Sequence, residues 1–160
     1  MIDKSKKDQP EYVISGYLYN ITKFVTWPLN AFNFSLSPFI IGVFGNKEIG
    51  SALVKTLREK KIIGRDWKVE FFSRPEEIRN CHLIFVTDVS IIQAEDLITF
   101  LKHKHVLTVG NNILDFCQVG GMINIVGEIP NLGFEINQTS YKSSKLEISS
   151  ELLDMATIIQ

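Results

Sequence analysis

The sequence predicts an α/β fold, a three-layer sandwich with a mostly parallel, flavodoxin- or Rossmann-like sheet and a C-terminal antiparallel hairpin. Over the first two-thirds of the 160 residues, apolar runs typical of buried strands alternate with amphipathic helical segments. Such alternation builds a parallel sheet covered on both faces. In the last third the alternation stops, and two short apolar runs flank a turn. The composition is 45% hydrophobic and 11% aromatic, enough for one core, so a single domain is predicted over residues 11–160.

The first predicted helix begins at Glu11, after a polar segment, residues 1–10, that is expected to be a disordered tail. Its apolar positions fall within one arc at about 100° per residue and form the predicted core face. These positions are Val13, Ile14, Tyr17, Leu18, Ile21, Phe24 and Val25.

The opposite face of this helix has a small residue, Gly16, between Tyr12 and Tyr19. That pattern is unusual for a fully solvated face, so these three residues are predicted to form a homodimer face. The helix is predicted to end at Trp27 and Pro28, because the residue before a proline is displaced from the α region. Trp27 then either closes one end of the core or contacts a partner directly, and the core role is favoured.

Continuous apolar runs predict four buried parallel strands, at residues 38–45, 67–72, 82–87 and 105–110. Residues 122–127 and 132–137 follow as the two strands of the antiparallel hairpin. A brief extended segment and a terminal helix complete the chain, with Ser149 or Ser150 as the N-cap of that helix.

Three helices are predicted between the parallel strands. The first begins at Asn46, a residue type favoured as an N-cap, and stops at Gly64. The second is short and has Pro75 in its first turn. The third is capped by Ser90, and its predicted inner positions include Ile91, Ile92, Leu97, Ile98 and Leu101.

The balance of charge argues against nucleic acid as a partner. The formal net charge is −1, and no long basic block provides the positive surface that nucleic acid requires. No apolar run is long enough to span a bilayer. The N-terminus has no apolar segment typical of a signal peptide, so the chain is either cytosolic or the mature form of an exported protein.

The "GNKEIG" segment, residues 45–50, is the nearest approach to a nucleotide motif. It lacks the Gly-Lys-Ser/Thr ending of a phosphate loop and the G-x-G-x-x-G spacing of a dinucleotide fingerprint. The N-terminus of the following helix is able to attract an anion. A plain strand-to-helix turn is the favoured interpretation.

A metal site and a catalytic site are also weighed against simpler interpretations. Four possible ligands, Cys81, His82, His103 and His105, approach the amino-terminal edge of the predicted sheet. Residues of this kind at a helix-to-strand junction more commonly bind terminal carbonyls. No nucleophile–base pairing is legible from the spacing, so the sequence predicts neither an enzyme nor a bound metal or cofactor.

Four segments together resemble the YfiR family of bacterial periplasmic regulators, and the resemblance covers residues 12–157. They are "YLYNITKFVTWP", then "CHLIFV" with "VLTVG", then "FCQVGGMINIV", then "GFEINQTSYKSSKLEISSELLDMA". The GGMI, F-x-I-N and L-x-I-S-S-x-L-L motifs carry most of it. The residues that look like structural hallmarks of the family are Phe24, Trp27, Pro28, Gly120 and Gly121.

The resemblance implies a regulator of signalling rather than an enzyme. Proteins of this family are exported and restrain an inner-membrane diguanylate cyclase by binding its periplasmic sensor domain. An outer-membrane lipoprotein of the OmpA type sequesters them, and release of the cyclase raises cyclic-di-GMP and promotes biofilm. Members are often dimers and need no cofactor, so the resemblance implies a periplasmic protein that is a homodimer.

The resemblance also implies a docking surface on the hairpin. By family position we expect Ile123 and Glu135 to contact the partner, with Asn137 beside them, because a strand pair with an exposed apolar residue is a suitable docking site. The alternative is a plain edge hairpin. Relatives often have Arg before the F-x-I-N motif, where this chain has Gly133.

The two cysteines depart from the family pattern. Better-known members of the family carry two disulfides, and Cys81 and Cys117 each match one half of one of them. The partner positions are Gly42 and Asn124 in this chain, so the resemblance leaves both cysteines without their usual partners. A bond between Cys81 and Cys117 stays open as a further alternative.

Two other functions are kept beside the repressor. A periplasmic small-molecule sensor acting on another membrane sensor, such as a histidine kinase, would have its pocket at the carboxyl ends of the strands, near Gly45, Asn46, Thr87 and Asn111. An enzyme of flavodoxin-like fold is disfavoured, because neither a phosphate loop nor paired catalytic groups are recognisable.

Overall fold

The computed structural model describes residues 9–159. The strands in this part of the chain are β1 (Val25–Thr26), β2 (Phe39–Gly45), β3 (Trp67–Phe72), β4 (Leu83–Thr87), β5 (Leu107–Asn111), β6 (Ile123–Glu128), β7 (Asn131–Asn137), β8 (Glu147–Ile148) and β9 (Ala156–Ile159). Seven of these described strands form one sheet in the order β3-β2-β4-β5-β6-β7-β9, and β1 pairs with β8 separately. Within the large sheet only β6 and β7 pair antiparallel. The predicted mostly parallel sheet with a C-terminal hairpin is therefore confirmed.

Helices cover both faces of the sheet, as the sandwich prediction requires. They are α1 (Pro10–Thr22), α2 (Ile49–Leu57), α3 (Ile91–Leu101), α4 (Gln138–Ser143) and α5 (Ser150–Leu153), with single 3-10 turns at Leu29–Ala31 and Pro75–Glu77. The apolar sides of α1 and α2 share one core cluster with alternate strand residues such as Ile41 and Val43. The apolar side of α3 packs with the intervening residues, such as Phe44 and Ile84, in a second cluster. Successive side chains along each strand point to opposite faces of the sheet, so strands such as β2 and β4 contribute apolar residues to both core clusters.

Helix α1 is displaced by a few residues from its predicted bounds. Its first residue is Pro10, so the predicted tail of residues 1–10 falls outside the described residues except for Gln9 and Pro10. The helix ends at Thr22, before Trp27, because Val25 and Thr26 leave it to pair with β8. That pairing joins residues more than a hundred positions apart, which helical periodicity does not reveal.

Helices α2 and α3 show where capping residues decide a boundary and where they do not. Ser90 caps α3 as predicted, since its side chain accepts a hydrogen bond from the Gln93 backbone N–H at 3.1 Å. Ile91 and Ile92 lie in the first turn of α3 and are exposed, so their predicted inner role is wrong. Helix α2 ends at Leu57, well before Gly64, because the backbone of Arg58 leaves the helical conformation with a ψ of 134°. The Trp67 indole N–H then donates to the carbonyl of Leu57 at 3.0 Å.

The C-terminal segment contains a strand that the sequence prediction missed. Ser149 caps α5, but α5 has only four residues. The chain then extends as β9 and pairs in parallel with β7. The hairpin is consequently not at the edge of the sheet, because β9 lies outside β7. The alternative interpretation of residues 122–137 as a plain edge hairpin is therefore wrong.

Candidate functional site

The Trp27 indole is buried where the sheet begins. Its Nε1–H donates to the His82 carbonyl oxygen at 2.9 Å, and its ring meets the Phe39 ring edge-on with 5.0 Å between centroids. Only 6% of Trp27 is exposed. The residue therefore anchors the chain between β1 and β2, and its side chain is not available for direct contact with a partner.

The two glycines of the GGMI motif allow the chain to pack closely before β6. Gly120 has a φ of +111°, a conformation that favours glycine. A Cβ at Gly121 would lie 2.3 Å from the ring of Phe116, which is fully buried. Both positions therefore have a steric reason for glycine.

His82 is a buried structural residue that joins the segment after α1 to the sheet. Its Nδ1 accepts from the Ile40 backbone N–H at 3.0 Å, so the proton is on Nε2, which donates to the Ala31 carbonyl at 2.9 Å. The ring also stacks on Phe32, with centroids 4.2 Å apart. Burial lowers the pKa of His82 below its ordinary value, and the nearby Arg65 charge acts in the same direction.

The lowered pKa of His82 predicts that the protein loses stability in mild acid. Below the ordinary pKa of 6.5, the unfolded chain binds the proton more tightly than the folded chain does. The stability that neutral His82 contributes is fully present above pH 6.5. The free energy of unfolding therefore falls as the pH decreases from 6.5 through the lowered pKa of the folded state. Urea unfolding of wild type and His82→Gln across this pH range checks it, and the variant is expected to have a shallower pH dependence. Identical slopes for both proteins would contradict it.

The four residues weighed as metal ligands point to different partners. His105 Nδ1 lies 2.9 Å from the Ser144 carbonyl, His82 is bonded as described above, and His103 is exposed in a turn. Across residues 9–159, no three His, Cys, Asp or Glu residues come together in a group that could hold a metal ion.

Both cysteines are free and buried, so the bond between Cys81 and Cys117 that the sequence left open is not formed. Burial raises the pKa of each thiol to about 12. Cys81 lies against Gly42 of β2, where an added Cβ would be 2.9 Å from the Cys81 sulfur. Cys117 lies under the hairpin, with its sulfur 3.4 Å from the Glu135 carbonyl oxygen.

The structure corrects the predicted docking surface at two of its three residues. Ile123 is fully buried, because β6 lies inside the sheet between β5 and β7 and its apolar face packs beneath α1. Asn137 is 6% exposed and acts as a structural link. Its Oδ1 accepts from the Ser140 N–H at 3.1 Å, and its Nδ2 donates to the Cys117 carbonyl at 2.8 Å. Neither side chain is available to a partner.

Glu135 is the one predicted contact residue that reaches solvent. It is half-buried on the face of β7 opposite Phe134. Its Oε1 accepts from Asn124 Nδ2 at 3.3 Å, and Asn124 is buried directly across the β6–β7 pair. A partner contact at Glu135 remains a proposal.

An open cleft on the other face of the hairpin is the best-formed apolar site beside the family motifs. This α1–β7 cleft has a volume of about 450 Å³, and its apolar lining residues are Tyr17, Ile21, Phe24, Leu132, Phe134, Leu152 and Met155. The rings of Tyr17 and Phe134 are 5.9 Å apart, while Asn20 and Lys23 supply polar groups. Gly133 also lines the cleft, and no atom lies within 4 Å of the position a Cβ would take there. The absence of a side chain at Gly133 leaves the cleft open.

The sequence prediction missed this cleft because it assigned Tyr17 and Phe24 to the core. Both residues are half-buried and pack against the core cluster from its margin. The periodicity of an amphipathic helix does not distinguish a fully covered position from one at the border of the covered face. Phe24 is also one of the residues that look like structural hallmarks of the family. That resemblance was the one indication in the sequence that the C-terminal end of α1 does more than pack in the core.

The carboxyl ends of the strands form a second, smaller cavity, which the sensor hypothesis predicted. Asn46, Thr87 and Asn111 all line it, and its volume is about 210 Å³. Gly45 does not line this cavity but forms the turn between β2 and α2. Its φ is +111°, and a Cβ there would lie 1.8 Å from the Thr87 carbonyl oxygen.

Carboxylates make this second cavity unsuitable for an anion. Glu11, Glu48 and Asp88 line it. Asn46 also occupies the turn before α2, where its Oδ1 accepts from the Glu48 N–H at 2.9 Å and its Nδ2 donates to Asp88 at 2.8 Å. These carboxylates would repel a phosphate and attract a cationic ligand.

The sandwich fold presents an open apolar cleft beside the hairpin, a concave site of the kind that binding proteins use. The chain matches the family model described as YfiR/HmsC-like over residues 13–157, and it belongs to that family. The resemblance inferred from the motifs is thereby confirmed, and family membership supports a periplasmic regulator rather than an enzyme. No curated protein matches the chain in sequence. No helix between residues 9 and 159 is both long and apolar enough to cross a membrane.

Proposed function

We propose that this protein is a periplasmic repressor that binds the periplasmic sensor domain of an inner-membrane diguanylate cyclase and lowers cyclic-di-GMP signalling and biofilm formation. The observation that carries the proposal is the α1–β7 cleft in a chain of the YfiR/HmsC-like family. The cleft is bounded by the F-x-I-N strand on one side and by the end of α1 on the other. An outer-membrane lipoprotein of the OmpA type is a second partner that family membership supports.

The mechanism requires no chemistry on the cyclase. A protein that binds the inactive form more tightly than the active form shifts the equilibrium by its differential affinity. A shift of the inactive-to-active ratio from about 1:99 to about 99:1 requires a preference of about 10⁴-fold for the inactive form. An apolar cleft is suited to this task, because large apolar side chains in a desolvated pocket contribute most of the binding energy at protein interfaces.

The cleft replaces the hairpin surface as the main docking site. Phe134 points into it from the same strand on which Glu135 points away. We retain Glu135 as a second contact on the opposite face of β7. Ile123 and Asn137 are not retained, since both are buried.

We propose in addition that Tyr12, Gly16 and Tyr19 form a homodimer face on α1. All three are half-buried, and no atom lies within 4 Å of the position that a Cβ would take at Gly16. A second copy on this face would have to accommodate Lys23 and Lys60, whose ammonium groups lie 4.6 and 5.8 Å from the Tyr19 ring centroid.

Crosslinked pull-down from membranes of the native host, with Met155→Glu compared to wild type, tests the proposal. Met155 lines the cleft and is 60% exposed, so a charge there is expected to leave the fold intact. We expect wild type to capture a membrane protein with a cytoplasmic diguanylate cyclase domain. We expect the variant to bind that protein about 30-fold more weakly, the loss typical of a hot spot.

Leu114→Glu is the matched control, because Leu114 is 84% exposed and does not line the cleft. Equal capture of the cyclase by wild type and Met155→Glu would refute the cleft as the docking site. Capture of a sensor kinase in place of a cyclase would refute the repressor role.

A sensor kinase as partner would support the second candidate, a small-molecule sensor. The observation in its favour is that Asn46, Thr87 and Asn111 do line one cavity. The carboxylates around that cavity point to a small cationic ligand.

A further inference from the structure

A surface loop between β1 and β2 exposes three large apolar side chains to solvent. We name residues 29–36 the apolar loop. In it Leu29 is 91% exposed, Phe34 77% and Leu36 91%. Single exposed apolar residues are common on protein surfaces, but three large ones on eight consecutive residues mark an interaction site.

Arg65 holds the apolar loop against the body of the protein. Its guanidinium lies 3.7 Å from the Phe32 ring centroid. Its Nη1 lies within hydrogen-bond distance of three carbonyl oxygens in this segment, those of Phe34 (3.2 Å), Ser35 (3.1 Å) and Ser37 (2.8 Å). The two N–H groups of Nη1 are shared among these three carbonyls, which reduces the penalty for placing the loop where water is scarce.

Basic residues are frequent at the edge of the sheet that bears the apolar loop. The loop lies at the edge where the parallel strands begin, and the turns that meet this edge are rich in basic residues. They carry Lys23, Arg58, Lys60, Lys61, Arg65, Lys102, Lys104, Lys142 and Lys145, against the acidic Glu59, Asp66 and Glu147. The α5 segment, whose cap Ser149 donates its backbone N–H to the Phe24 carbonyl beside Lys23, adds Glu151 and Asp154. The contact of His105 with the Ser144 carbonyl brings the 102–105 and 142–145 turns together.

The opposite edge of the sheet has the opposite charge. The segments there carry Glu11, Glu48, Glu76, Glu77, Asp88, Asp115 and Glu128, against only Lys47 and Arg74 among the described residues. The charges of residues 9–159 are therefore unevenly distributed along the strand direction. A net-charge count alone hides this separation.

We propose that the edge bearing the apolar loop binds the surface of a bilayer that contains anionic phospholipid. The loop inserts its three apolar side chains at the boundary between headgroups and acyl chains, and the surrounding lysines and arginines contact the phosphates. The acidic edge, with the small carboxyl-end cavity, points away from the membrane.

Charge disfavours the simplest alternative occupant, the same edge of a second copy. Two such edges facing each other would bring like charges together. The combination of projecting apolar residues with a surrounding basic surface is instead the pattern of proteins that bind anionic membranes. This inference does not depend on which membrane protein the α1–β7 cleft binds.

Co-sedimentation with lipid vesicles tests the proposal with the full chain. The vesicles are phosphatidylcholine alone, or equal parts of phosphatidylcholine and phosphatidylglycerol. We expect binding to the mixed vesicles at low salt, release at high salt, and little binding to phosphatidylcholine alone. The triple variant Leu29→Ser/Phe34→Ser/Leu36→Ser is expected to bind at least about tenfold more weakly, with an unchanged thermal midpoint because the replaced side chains are exposed.

Leu114→Ser is the matched control, since Leu114 is 84% exposed at the acidic edge. It is expected to bind mixed vesicles as wild type does. Failure of wild type to bind mixed vesicles, or an equal loss in Leu114→Ser and the triple variant, would overturn the proposal. So would a wild type that self-associates without lipid while the triple variant stays monomeric, because that result identifies a protein as the occupant.

Discussion

Replacement of Ile123 by aspartate is expected to unfold the protein, not merely to weaken partner binding. Ile123 is fully buried, lies opposite Ile136 across the β6–β7 pair, and neighbours Val109 of β5. All three belong to the core beneath α1 and α2. A carboxylate at this position loses its hydration without gaining a partner, and the apolar packing of the isoleucine side chain is removed as well.

The expected destabilisation is at least about 4 kcal/mol, a large part of the stability of a domain of this size. Urea unfolding followed by circular dichroism measures it. Asn131→Asp is the control, because Asn131 is exposed in the same hairpin and the substitution introduces the same group. A folded Ile123→Asp protein with a nearly normal unfolding midpoint would show that Ile123 is accessible, and would restore it as a docking residue.

A disulfide introduced by Gly42→Cys is expected to form with Cys81 and to raise stability when oxidised. A Cβ at Gly42 would lie 2.9 Å from the Cys81 sulfur. Within a disulfide, the Cβ of one cysteine lies about 3 Å from the sulfur of the other. The bond would close a loop of about 40 residues, which corresponds to about 4 kcal/mol in the chain-entropy model.

The reduced Gly42→Cys protein is expected to be less stable than wild type. The new Cβ would lie 2.7 Å from Ile84 Cδ1 and 2.8 Å from Phe72 Cε2, so both side chains must move. Crowding of this kind costs about 1–3 kcal/mol. Gly42→Ala isolates that cost, since it adds the Cβ without the sulfur.

Comparison of unfolding with and without reductant, together with a count of free thiols, checks the disulfide. We expect the oxidised variant to exceed its reduced form in stability by about 4 kcal/mol. Cys117 should be the one thiol that becomes reactive on unfolding. Three reactive thiols after exposure to oxidant would show that the Cys81 sulfur does not face position 42.

Much of the fold was predictable because each strand carries its own signal. The continuous apolar runs of β2 and β4 and the alternating pattern of the hairpin are local properties, and Ser90 caps its helix through a residue three positions away. The missed elements depend on distant partners. Strand β1 exists only because Ile148 and Glu147 lie beside it, and β9 only because β7 offers a free side.

The candidate site was less predictable for a related reason. The family motifs identified the hairpin as important, but the alternation of Ile123 with Asn124 does not say which side of β6 is covered. The packing of α1 buries Ile123, and the loop around Cys117 covers the other face. The open cleft exists because Phe24 and Phe134, which are far apart in the chain, line one space.

The fold class, the family and the expectation of a regulator could all be derived from the sequence, because periodicity, capping and motif order are encoded over short stretches. The tertiary structure was needed to show that Ile123 is buried, that Cys81 and Cys117 are unpaired, and that the charges separate to opposite edges of the sheet. Each of these depends on which distant segments become neighbours, and that is settled by packing of the whole chain.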